Sequence, residues 1–127
     1  MEGYSAPKLE AILVERVADF LGLAKKDPLM SKALSFDSPE VNVDLVEIMP
    51  GKRSPPTARI KVINKPSRLM DLEDLDLNVG MTAEKAGLVA ETRYLSAGQT
   101  RPYRDLSTSE RERAHTFVEH YVVFVRD

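Results

Sequence analysis

The apolar residues of segment 7–24 define one side of a helix, and such a helix must find a surface to lie on. Leu9, Ile12, Leu13, Val17, Phe20, Leu21 and Ala24 recur at spacings of three and four, the period that places side chains on one face. Glu10, Glu15, Arg16 and Asp19 lie largely off that stripe. Ser5 is suited to cap the helix, and Pro7 fits its first turn, where the missing N–H has no helical partner anyway. Ala11, Val14 and Ala18 widen the stripe beyond what a single contact needs. The expectation is a helix packed on a sheet that offers Ala11, Val14 and Ala18 to a protein partner or a second copy of the chain.

The sheet is supplied by β-rich runs further along. Asp27-Pro28 signals a second helix start, with a short helix over 28–34, and Ser38-Pro39 ends the helical region. Segments 41–49 and 57–63 read as strands. Ala58, Ile60 and Val62 share one face of the second, with Arg59 and Lys61 on the other, where Asp44 and Glu47 of the first strand are expected to pair with them. The connection from Pro50 to Pro56 is too long for a two-residue turn. Three prolines stiffen it, and it carries Lys52 and Arg53 at its tip.

Asp71, Glu73, Asp74 and Asp76 form an acidic cluster, read as a solvated face because it lacks the ligand order of a calcium loop. Its surroundings, from Leu72 to Val79, waver between helical and extended patterns. Thr82 is placed to cap a brief helix over 83–86 that stops at Gly87. A strand is expected over 88–95, with Ala90, Thr92 and Tyr94 on one face. Residues 96–106 are turn-rich, and Tyr103 between Arg101 and Arg104 is read mainly as an anchor for that loop. Ser107 and Glu110 match a capping box that opens a helix over 108–118. The final strand, 119–126, has few charges and is expected at the centre of the sheet, with Tyr121, Val123 and Val125 on one face and Phe124 on the other.

These pieces imply a single α+β domain over 1–127, with a long N-terminal amphipathic helix packed on a mainly antiparallel sheet of about four strands. Cysteine is absent, which excludes disulfides, zinc knuckles, iron–sulfur clusters and a thiol nucleophile. No run approaches the roughly 18 apolar residues of a membrane-spanning helix. The first residues lack the basic start and apolar stretch of a classical signal peptide. The expected location is cytoplasmic or within a virus particle.

Chemistry leaves few marks. His115 and His120 are the only histidines, and Glu112 with His115 makes one Glu-x-x-His pair where a carboxylate-bridged metal site needs two. G-x-S-x-G, a phosphate loop and G-x-G-x-x-G are all missing. No cofactor or metal is therefore expected. The function that fits is a non-catalytic interaction or assembly subunit, acting through Ala11, Val14 and Ala18 and through the basic loop at Lys52 and Arg53. A net charge of −2 disfavours the first alternative, a nucleic-acid binder using Lys52, Arg53, Arg59, Lys61, Arg101, Tyr103 and Arg104. The second alternative is a small enzyme or ligand binder with a crevice near Tyr103, His115 and His120.

Overall fold

The computed structural model describes residues 6–34, 46–49, 56–62, 70–117 and 119–126. Helix α1 runs Ala6–Lys26, about 30 Å of helix. Lys25 and Lys26 in its last turn complement the negative end of the helix dipole. Helix α2, Pro28–Ala33, starts as expected: the Asp27 carboxylate accepts from the N–H groups of Leu29 and Met30 at 3.0 and 3.2 Å.

Strand β1, Val46–Met49, lies within the first expected strand, whose residues 41–45 fall outside the described residues. Strand β2 spans Thr57–Val62. Helix α3, Leu72–Lys85, corrects the brief helix expected at 83–86. Its cap is Asp71, whose carboxylate accepts from the Glu73 N–H at 2.8 Å, and not Thr82. Two members of the acidic cluster, Glu73 and Asp74, sit in its first turn and favour the positive end of the dipole. Leu72, Leu75, Val79 and Ala83 form its buried stripe.

The helix ends near Gly87, whose φ of +73° belongs to the left-handed region. The guanidinium of Arg16 lies where a Cβ at that position would stand, and it donates to the Ala86 carbonyl at 3.5 Å. That contact ties α1 to the end of α3.

Strand β3, Leu88–Ser96, and strand β4, Gln99–Pro102, form a hairpin. Its turn residues Ala97 and Gly98 both have positive φ, 52° and 78°, as a two-residue hairpin turn requires. The turn-rich segment thus holds a fifth strand. A 3₁₀ turn at Tyr103–Asp105 leads to α4, Thr108–Arg113, opened by the expected Ser107–Glu110 capping box. The expected helix to 118 is shorter, because a 3₁₀ turn at Ala114–Thr116 and an extended Phe117 redirect the chain. Strand β5, His120–Arg126, follows.

The sheet has the order β1-β2-β5-β3-β4, and every neighbouring pair is antiparallel. Strand β5 is central, as its composition implied. One face carries Ala58, Ile60, Val62, Leu88, Thr92, Tyr94, Val122 and Phe124, all buried. Against them pack Leu13, Val17, Phe20, Leu21 and Ala24 of α1 and the buried stripe of α3. The rings of Phe20 and Phe124 meet edge to face with centroids 4.8 Å apart. Among the described residues, no helix is long and apolar enough to cross a membrane.

Phe20→Ala is expected to lower stability by about 3–5 kcal/mol, the usual loss for a buried phenylalanine. Urea melts of the two proteins measure it. A loss under about 1 kcal/mol would contradict a core in which α1 and β5 meet at this residue.

Candidate functional site

The helices α1 and α3 cover one face of the sheet; the side chains of the other alternate outward. Strand register sorts that uncovered face into rows. Met49, Thr57, Val125 and Val89 are successive partners across β1, β2, β5 and β3. Glu47, Arg59, Val123 and Glu91 form the next row. Lys61, Tyr121, Arg93 and Pro102 form the third, across β2, β5, β3 and β4. The face is therefore apolar at one end, except for the Thr57 hydroxyl, and charged across its middle. Val89 and Val125, joined in the apolar row, are 56% and 37% exposed.

The charged rows are knitted by ion pairs. Arg59 meets Glu47 at 2.7 Å, as the cross-strand pattern implied. Lys61 meets Glu119 at 3.3 Å; Asp44, the other carboxylate expected to pair across the hairpin, lies outside the described residues. Arg93 and Arg104 both meet Glu91 at 3.0 Å, and Arg101 meets Glu110 at 3.5 Å. The Glu119 carboxylate is held below the ordinary range, first by the Tyr121 hydroxyl donating to it and then by Lys61. The Arg59 guanidinium stacks over the Tyr121 ring, 5.0 Å from its centroid. Between Arg59 and Arg93 lies a depression of about 290 Å³, lined also by Met49, Thr100, Tyr121 and Val123.

The other sequence candidates are dispersed. Ala11 is exposed and Val14 and Ala18 are half-buried on α1, outside the core. Lys52 and Arg53 lie outside the described residues. Tyr103 is an anchor, set edge-on to Tyr94 at 6.1 Å and covered by the Arg111 guanidinium at 5.1 Å. Arg93 and Glu91 escaped sequence reasoning as site residues. Their only signal was alternation along β3, which placed them opposite the core but not beside Arg59.

Of the residues named for the crevice alternative, Tyr103 and His120 both lie against the Tyr94 ring. His120 is fully buried and stacks on Tyr94 at 5.5 Å, and the Phe117 ring meets Tyr94 at 6.4 Å. Neither ring nitrogen of His120 finds a hydrogen-bond partner among the described residues. Burial also raises the Tyr94 hydroxyl well above the ordinary tyrosine range. Nearby, Asp76 Oδ1 accepts from the Thr92 N–H at 3.0 Å and from its hydroxyl at 2.8 Å, pinning α3 to β3. Among the described residues, no group of three or more His, Asp or Glu side chains is arranged to hold a metal ion. Comparison with family models, curated proteins and solved structures finds no match.

Burial pushes His120 down from 6.5 to about 4. The folded value lies below the unfolded one, so the contribution of the neutral ring is complete above about pH 6.5. It is lost as pH falls toward 4, to a total of roughly 3 kcal/mol. His120→Phe keeps a ring against Tyr94 and removes the titration. Melts between pH 7 and pH 4 should show wild type losing about 3 kcal/mol more than the variant. Superimposable pH profiles would contradict a neutral, buried His120.

Proposed function

We propose that this protein is a non-catalytic interaction or assembly subunit that docks a protein partner on the uncovered face of its sheet. The observation that carries this reading is the row Met49, Thr57, Val125 and Val89, apolar except for the Thr57 hydroxyl, continuous across four strands and, among the described residues, without a helix over it. A continuous apolar strip beside charged rows has the composition of an interface centre with its polar rim. The two valines are direct cross-strand partners, 56% and 37% exposed.

Size bears on what kind of contact this supports. Five strands spaced about 4.8 Å apart and about 17 Å long present roughly 400 Å². A standard interface takes about 800 Å² from each partner. The face supplies about half of that, so a stable partner must also engage a neighbouring surface. The chain between Met49 and Pro56, which contains Lys52 and Arg53, leaves β1 at the apolar row.

Charge weighs against the nucleic-acid alternative. Arg59, Lys61, Arg101 and Arg104 each have a carboxylate partner. A polyanion would have to displace those carboxylates or approach them closely.

Light scattering at rising concentration, with a photo-cross-linker at position 125, tests the proposal. Wild type is expected to self-associate or to cross-link one defined partner in native extract. Val89→Lys with Val125→Lys should abolish either contact and leave the far-ultraviolet spectrum unchanged. A monomer at high micromolar concentration with no defined cross-link would overturn the reading. So would a double variant that binds like wild type.

A further inference from the structure

We propose that the depression between Arg59 and Arg93 recognises a carboxylate, and that the group it takes is the acidic side chain of a docking protein. The inference rests on the open face being the docking surface. Its own support is the placement of two guanidiniums. Arg59 on β2 and Arg93 on β3 flank the central β5, one register row apart, and both line the same depression. Glu47 and Glu91, which pair with them, do not line it among the described residues. The two carboxylates engage the cations without lining the depression, whose charged lining among the described residues is the two arginines.

Both guanidiniums are held in place before any ligand arrives. Arg59 uses Nε for Glu47 and sits over the Tyr121 ring. Tyr121 is itself fixed by donating its hydroxyl to Glu119 at 2.8 Å. Arg93 is clamped twice, by Nη1 to Glu91 at 3.0 Å and by Nη2 to the Thr100 carbonyl at 2.9 Å. Side chains that are already ordered lose less freedom on binding, and the planar fork of arginine matches the two oxygens of a carboxylate.

Volume and surroundings narrow the ligand. At about 290 Å³ the depression is at the bottom of the range for small-molecule sites, roughly 300–1,000 Å³. It has room for one acidic side chain or a small acid and too little for a nucleotide. Glu47, Glu91 and Glu119 surround it on the same face, so a ligand with repeating negative charge meets repulsion as soon as it extends beyond the two arginines. A single carboxylate does not.

The site is open to solvent, so a free acid would keep one side in water, whereas a docked protein covers its own side chain. Among the described residues, the carboxylates that a second copy laid face to face would offer, Glu47, Glu91 and Glu119, are already held in ion pairs. The fitting occupant is therefore a different protein that carries its own unpaired Asp or Glu.

Nuclear magnetic resonance of the full chain tests this, following the Nε–H signals of Arg59 and Arg93 and the amide signals of Thr100 and Val123. The titrants are N-acetyl-glutamate amide, N-acetyl-glutamine amide and inorganic phosphate. The glutamate compound is expected to give saturable shifts at these four residues. Arg93→Gln and, separately, Arg59→Gln should weaken it about tenfold. The glutamine compound should give no saturation, and phosphate should bind more weakly than glutamate. Absence of saturable shifts, equal response in both variants, or tighter binding of phosphate would overturn the proposal. If the glutamate compound fails while the position-125 cross-link still captures its partner, only the carboxylate anchor falls. If it binds and no docking partner exists, the assignment of the carboxylate to a protein falls with the docking reading.

Discussion

The contact between Phe20 and Phe124 joins the longest helix to the central strand, and the remaining structure is organised about it. Strand β5 is hydrogen-bonded to β2 on one side and β3 on the other, so it unites two hairpins that would otherwise be separate two-stranded ribbons. Such ribbons are marginal alone. With β5 in place they become one sheet broad enough to carry α1 and α3 side by side. The strict alternation of β5 then assigns the two surfaces: Val122 and Phe124 go to the core, and Tyr121, Val123 and Val125 go to the open face. A slip of one residue would exchange them.

Those elements were legible in the sequence wherever a periodic stripe stood free of competing signals. Helix α1, the Asp27 cap, the capping box at Ser107 and the central position of β5 all follow from patterns that span several residues. Helix α3 was obscured because Leu77 and Met81, both exposed, interrupt its buried stripe with apolar residues on the wrong side. The same segment opens with four carboxylates, which read as a solvated run until Asp71 is seen capping a helix. Strand β4 was hidden by its turn. Ala97 occupies a left-handed position where asparagine, aspartate or glycine would have announced a hairpin.

The candidate site was the least legible part, for a topological reason. Arg59 and Arg93 lie 34 positions apart, and nothing local relates them. They become neighbours only because β5, the last strand made, inserts between β2 and β3. The pairing of Arg59 with Glu47 was available from the hairpin; its companionship with Arg93 required the strand order. The same order explains why the basic residues do not merge into one positive stripe. Glu91 on β3 and Glu119 ahead of β5 are interleaved among them, and the depression lined by Arg59 and Arg93 lies between these pairs. Surface pairs of this sort add little to stability, about 0–1 kcal/mol each. Their effect here is to orient side chains.

The central claim is that one sheet face is sealed by helices and the other is kept available for docking. Methyl relaxation by a soluble paramagnetic agent reports this directly, valine by valine. In the free protein the methyl groups of Val89 and Val125 should relax strongly, while those of Val17, Val79 and Val122 should be protected. In the assembled state Val89 and Val125 should become protected as well, with the core valines unchanged. Equal protection of all five in the free protein, or continued exposure of Val89 and Val125 once a partner is bound, would contradict the account.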